Sequence, residues 1–287
     1  MDKASTSYIF MFAAAVCLVC SIFVAGSAVA LKERQEENKV LDRQKNVLKV
    51  AGLLKPGETI DAAEVAKRFD GNIVAKIVDL ETGDYVDADA KAFDMQAEMK
   101  DPATSKAAAP NGAKVLRTPN RGLVYQIVEG GRIKGVIVPV QGKGLWSTLM
   151  GFVALESDGQ TISGLIFYSH AETPGLGGEV DNPNWRGLWK GRKVYGEDGQ
   201  PKIAVIKGPA GPASTDPYHV DGLSGSTLTS RGVTNLLQFW LGDTGYSRYL
   251  VKFRDEAASG DANVADASKS TRPATQASDD AAEKGGA

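Results

Sequence analysis

From Tyr8 to Leu31 the chain runs for 24 residues without a charged side chain. As an α-helix this stretch measures about 36 Å at 1.5 Å per residue, longer than the ~30 Å hydrocarbon core of a bilayer. The expectation is a single N-terminal transmembrane helix over residues 8–31, lying in the lipid bilayer, with a short segment, 1–7, before it. The stretch exceeds the apolar region of an ordinary export signal, yet Ala28-Val29-Ala30 has the A-x-A form of a cleavage site, so a cleaved signal is the alternative. Flanking charge does not orient the helix. Lys32, Arg34, Lys39, Arg43 and Lys45 follow it while only Lys3 and the amino terminus precede it, which opposes export of the body. Long domains nevertheless translocate largely regardless of such charge.

What remains is long enough to bury a sizeable core, since 43% of the 287 residues are hydrophobic. The formal net charge of -2 supplies no basic field, and no Lys/Arg-rich run with interleaved aromatics occurs. No nucleic-acid partner is expected. Both cysteines, Cys17 and Cys20, fall within the apolar stretch, so the body has no thiol for disulfides, iron–sulfur ligation or nucleophilic catalysis. In a lipid-facing helix the pair reads as small hydrophobes, the alternative being a site shared with another membrane protein of the same complex.

The hydrophobic pattern divides the body. Residues 32–119 read as a membrane-proximal α/β module and linker. Within it, Lys32 to Leu54 suits a helix leading off the membrane, Gly57 to Phe69 a second helix, Asn72 to Leu80 a strand and Glu81 to Asp84 a turn. Ala88 to Pro119, rich in Ala, Lys, Asp and Pro, reads as an insertion or linker. Residues 120–255 then carry strands in series: Leu123–Val128, Ile133–Val140, Gly151–Leu155, Ile162–His170 and Lys202–Ile206. Gly130-Gly131 and Asp158-Gly159 are hairpin turns. The fold class expected is α+β, a mainly antiparallel sheet with flanking helices, preceded by the transmembrane helix. Residues 256–287 are nearly devoid of bulky apolar side chains and read as a disordered tail.

Chemistry concentrates in Asp221-Gly222-Leu223-Ser224-Gly225-Ser226-Thr227, which precedes Leu228-Thr229-Ser230. Beyond it Val233, Leu236, Leu237, Trp240 and Leu241 recur at three- and four-residue spacing, the buried face of a helix. Glycines and hydroxyls at a helix start offer close backbone approach, unpaired N–H groups and a partial positive charge, all suited to a phosphate. The same residues also suit an ordinary capped loop.

Two segments together carry a family resemblance. Ser169-His170-Ala171-Glu172-Thr173-Pro174-Gly175-Leu176-Gly177 resembles the H-x-E-T-P-G-L-G signature of FMN-binding domains in respiratory complexes, and the 221–230 segment resembles the acceptor motif at which a flavin transferase attaches FMN to threonine. With the Gly142–Ser147 turn and the closing Phe239-Trp240-Leu241-Gly242, the chain from the anchor to about Asp255 resembles the C subunit of the Na+-translocating NADH:quinone reductase. The G subunit of the Rnf electron-transport complex shares both motifs and is the related alternative. The family usually has alanine before the acceptor threonine, where this chain has Ser226.

The resemblance implies a covalent FMN cofactor joined through its phosphate to Thr227, a flavin transferase using FAD as donor, and partner subunits of a multi-subunit NADH:quinone reductase. It also implies a single-pass protein of the bacterial inner membrane with its body in the periplasm. Ser224, Gly225 and Ser226 belong to the acceptor motif, and Ser226, Ser224 and Thr229 are alternative hydroxyl acceptors. Glu172, Thr173 and Leu176 are candidates to line the flavin, Trp146 to stack on it, and Lys207 to neutralise phosphate or a reduced ring. Trp146 and Leu176 equally suit core positions, and Lys207 a solvated strand end. Asp221 suits either orientation of the modifying enzyme or of Mg2+, or a loop Asp bonding nearby N–H groups.

No protein metal site is expected, since His170 and His219 are the only imidazoles. His170 is expected in a structural or flavin-proximal role and His219 in none. A competing class is a membrane-anchored serine hydrolase: Gly222-Leu223-Ser224-Gly225-Ser226 approaches the G-x-S-x-G elbow, with His170 as base. The final Gly is missing and His precedes Ser, against that fold's order. A third is an anchored structural module whose flavin motif is vestigial.

Overall fold

The computed structural model describes residues 6–55 and 57–259. The apolar stretch and the charged segment after it form one unbroken helix, α1 (Thr6–Val50). It is long and apolar enough to cross a membrane, and its apolar N-terminal part is not buried against the rest of the chain. Its last turns do the opposite: Val47, Leu48 and Val50 are buried in the body's core. The anchor therefore enters the body as a continuous rod rather than through a flexible link.

Helix α2 (Ala62–Asn72) begins at Asp61, whose carboxylate accepts the Glu64 N–H and satisfies one of the helix's free donors. Strands β1 (Ile73–Asp79) and β2 (Tyr85–Val86) follow as a hairpin. The segment expected to be a linker carries structure of its own: α3 (Met95–Lys100), β3 (Ser105–Ala107) and β4 (Arg117–Pro119), the last two paired antiparallel. Asp94 caps α3, and the Ser105 hydroxyl bonds the Asp101 carbonyl, so local polar contacts hold what hydrophobic periodicity does not announce.

Four long strands come next: β5 (Arg121–Glu129), β6 (Arg132–Lys143), β7 (Thr148–Glu156) and β8 (Ile162–Ser169). They complete a six-stranded antiparallel sheet in the order β2-β1-β5-β6-β7-β8. The fold is α+β with the antiparallel sheet and flanking helices that the series of strands and hairpin turns predicts. Because β1 pairs with β5 along its whole length, the segment next to the membrane and the later strands share one sheet.

After β8 come a 3-10 turn (Gly177–Asp181), α4 (Pro183–Gly187), the two-residue strands β9 (Ala204–Val205) and β10 (His219–Val220), and helices α5 (Thr227–Trp240) and α6 (Ser247–Ser259). The strand expected over Lys202–Ile206 shrinks to β9, paired in parallel with β10. Helix α6 carries order past the expected start of the tail at residue 256. The remainder of that expected tail lies outside the described residues.

Helix α5 lies on β6 and fixes where its own N-terminus points. Val233, Leu236, Leu237 and Trp240 are buried, and the Trp240 indole donates to the Gln141 carbonyl at 2.6 Å. Near the helix start a Cβ on Gly232 would stand 2.5 Å from the Lys143 carbonyl oxygen, so only glycine allows this approach. The second turn of α5 is thereby held against the end of β6.

Candidate functional site

Three segments distant in sequence meet at the Glu172 carboxylate. The backbone N–H groups of Trp146 and Ser147 donate to Oε1 at 3.0 and 3.1 Å, with the Ser147 hydroxyl at 3.2 Å. Oε2 accepts the Leu145 N–H at 3.2 Å and the Thr229 hydroxyl at 2.7 Å. Glu172 is only 5% exposed. Burial alone would raise its pKa, but the hydrogen bonds from Thr229 and from the Ser147, Trp146 and Leu145 N–H groups outweigh burial and hold it below the ordinary value. The side chain faces inward, tying the Gly144–Ser147 turn to the first turn of α5.

The network continues into the acceptor motif. The Ser226 hydroxyl donates to Thr229 Oγ1 at 3.0 Å, and Thr229 directs its own proton toward Glu172. Ser226 is 4% exposed and Thr229 fully buried, whereas Thr227 and Ser224 face solvent. Ser226 is the N-cap position of α5, but its side chain makes no capping hydrogen bond, so the first N–H groups of α5 have no side-chain partner there. Gly225 takes φ +69, and a Cβ there would stand 2.9 Å from Leu176 Cδ2, so Leu176 lies directly over the motif.

Beside Thr227 opens a cleft of about 560 Å³. The expected residues Lys207, Ser224, Gly225 and Thr227 line it, together with Arg231, which neither motif singles out. Arg231 follows Thr227 by one helical turn on α5, and that i,i+4 relation is a readable signal. Trp146, Glu172, Thr173 and Leu176 lie outside the cleft lining. Trp146 is 67% exposed on the turn that Glu172 holds, and Leu145, Leu176 and Leu228 are also exposed. The Thr173 side chain is exposed while its carbonyl accepts the Gly178 N–H at 2.8 Å.

Asp221 braces the loop: Oδ1 accepts the Ala210 N–H at 2.9 Å and its carbonyl accepts the Trp185 indole at 2.9 Å. His170 Nε2 lies 2.8 Å from Asp181 Oδ2, and its Nδ1 accepts the Glu172 N–H at 3.3 Å. Both ring nitrogens are occupied, leaving none to take a proton from Ser224, so the triad that a hydrolase needs is not assembled. His219 pairs with Asp216 at 2.8 Å.

Residues 144–242, which span the turn, the Glu172 segment and the acceptor helix, match the model of the FMN-binding domain family. Over 257 residues the chain is 48% identical to the C subunit of the Na(+)-translocating NADH-quinone reductase of Pseudomonas aeruginosa, covering 88% of this chain and 98% of that protein. The chain belongs to the C-subunit family of Na+-translocating NADH-quinone reductases. The corresponding protein of Yersinia pestis is 45% identical over 245 residues, covering 84% of this chain and 91% of its own. The crystal structure of NqrC from Shewanella oneidensis superposes with a TM-score of 0.70 at 32% identity, over 76% of this chain and 99% of that one. The C subunit from Parabacteroides distasonis does so at 0.60 and 29%, over 77% and 96%. Similarity of this extent decides for this family over the related Rnf protein. The chain is thus part of a sodium-translocating NADH-quinone reductase, built on an FMN-binding domain behind an apolar N-terminal helix.

Proposed function

We propose that Thr227 carries FMN through a phosphoester to its hydroxyl and that the chain relays electrons between neighbouring subunits of the complex. The observation that carries this reading is the sorting of hydroxyls at the head of α5. Ser226 and Thr229 are buried and bonded to one another, while Thr227 stands exposed at the mouth of a cleft that also holds Lys207 and Arg231.

The residues present fit the cofactor. The phosphate would meet the free N–H end of α5, and the absence of a Cβ at Gly225 lets Leu176 approach the motif closely. Trp146, Leu145, Leu176 and Leu228 are exposed apolar side chains on the Gly144–Ser147 turn and the two motif segments, and Trp146 is the one suited to stack on the ring. FMN, when attached, would supply one-electron redox chemistry that no side chain here provides. Glu172 acts indirectly, holding the Trp146 turn and the α5 N-terminus in one geometry. The rigid entry of α1 into the core would keep the flavin at a set height above the bilayer.

In this reading residues 120–255 are the flavin-carrying unit, and the body stands on the exported face of a bacterial inner membrane. A flavin transferase loads Thr227 after export. Tryptic digestion of the native protein tests the attachment: cleavage after Lys207 and Arg231 yields peptide 208–231. Fragment-ion spectra should put the added mass on Thr227. Its location on Ser224, Ser226 or Thr229 would overturn the reading.

A further inference from the structure

Two cations and no carboxylate among the described residues face the cleft beside Thr227. Neither Lys207 nor Arg231 joins an ion pair among the described residues, and both side chains are exposed. They arrive from different elements. Arg231 stands one turn along α5 from Thr227, and Lys207 follows β9 on the opposite wall.

The two walls are fastened together rather than merely adjacent. The Val205 N–H donates to Thr234 Oγ1 of α5 at 2.9 Å, the Ile206 N–H to the Val220 carbonyl at 2.9 Å, and the Gly222 N–H to the Gly208 carbonyl at 3.0 Å. Unpaired positive charge held on two sides of a firm cleft implies an anionic ligand.

Charge and leaving-group chemistry identify which anion. A threonine hydroxyl cannot form a phosphoester from FMN itself without expelling an oxide or hydroxide from phosphorus. The donor must therefore be a phosphoanhydride, and a flavin dinucleotide presents a pyrophosphate with two negative charges. The finished diester on Thr227 carries one. Two cations and the positive end of α5 overmatch the diester and match the pyrophosphate. A cleft of about 560 Å³ is likewise far larger than one phosphate needs.

We propose that Lys207 and Arg231 form an acceptor-side clamp for the pyrophosphate of the flavin dinucleotide donor, acting while the transferase loads the protein. This rests on Thr227 being the acceptor. Thr227 Oγ forms a bond to the flavin-side phosphorus as the bridging P–O bond of the anhydride breaks. The nucleoside monophosphate leaves with the bridging oxygen, and no electron changes hands. The hydroxyl proton goes to a general base of the transferase, because neither carboxylate nor imidazole among the described residues lines this cleft. The clamp neutralises charge on both phosphates as the anhydride opens.

Full-length protein in detergent, a purified flavin transferase and FAD suffice for the test. The rate of mass gain is followed by intact mass spectrometry for wild type, Arg231→Gln, Lys207→Gln and Thr227→Ala. Each Gln variant should lose about 10- to 100-fold in kcat/KM for attachment, the span of a lost charge-assisted hydrogen bond. Given long incubation each should still reach one flavin per chain, with an unchanged melting temperature because both side chains are exposed. Added salt should slow wild type more than either variant. Wild-type rates in both Gln variants, with Thr227→Ala free of flavin, would overturn the clamp and leave the acceptor assignment standing. Flavin on Thr227→Ala would overturn the acceptor assignment itself.

Discussion

Thr229 donates a 2.7 Å hydrogen bond to Glu172, a residue 57 positions earlier in the chain. The bond joins the two segments that carry the family resemblance. It shows that the glutamate of the first segment serves the helix that begins in the second. With three backbone N–H groups and the Ser147 hydroxyl converging on the same carboxylate, the geometry around Thr227 depends on Glu172 remaining ionised.

Glu172→Gln should cost about 2–3 kcal/mol, because the amide replaces an anionic acceptor with a group that presents N–H to donors already there. Urea denaturation should read this as a lower midpoint at unchanged slope. The same site sets a pH dependence. The folded-state pKa of Glu172 lies below the ordinary value of 4.5, so its stabilisation is complete above about pH 4.5 and fades as pH falls through the folded value. The acid limb of a stability–pH profile should therefore be shallower in Glu172→Gln than in wild type.

Ser226→Ala removes one buried hydrogen bond while Thr229 keeps its stronger partner, so stability should fall by only about 0.5–1.5 kcal/mol. The variant should still carry one flavin per chain by intact mass. A protein that lost its flavin with Ser226 would show the bond to be on the wrong hydroxyl.

Gly222→Ala would set a Cβ 2.3 Å from the Ile206 carbonyl oxygen, a contact with backbone that cannot be relieved by a rotamer change. The Ile206–Lys207 segment must move away from the motif. A loss of about 2 kcal/mol or more in thermal or urea unfolding is expected, together with slower flavin loading.

Trp146→Ala should leave unfolding within about 0.5 kcal/mol of wild type, since the side chain is 67% exposed and the turn is held through its backbone. In flavin-loaded protein the same change should brighten flavin fluorescence by removing a stacking quencher. An unchanged emission yield would place the ring elsewhere.

Much of this architecture was legible from local signals. Runs of strand-forming apolar residues marked β5 through β8, Gly130-Gly131 and Asp158-Gly159 marked two of their turns, and the three- and four-residue spacing from Val233 to Leu241 marked α5. The Ala88–Pro119 segment was not legible, because α3 and the β3–β4 pair are held by Asp94, Ser105 and buried Phe93 and Met95 rather than by any period. The site divides the same way. The acceptor motif is legible because it is contiguous, whereas the inward turn of Glu172 follows from partners at 145–147 and 229 that only the fold assembles. The burial of Ser226 against Thr229 is likewise a tertiary fact, set by how closely α5 lies on β6. Arg231 was within reach of helical spacing, but its meaning depends on Lys207 arriving opposite, which no local pattern encodes.

The central claim is tested most directly by comparing wild type with Thr227→Ala, both coexpressed with an active flavin transferase, by ultraviolet in-gel fluorescence and intact mass after denaturation. The account predicts one flavin per chain that survives denaturation in wild type and none in the variant. Flavin retained by Thr227→Ala, or absent from both while a control acceptor is loaded, would contradict it.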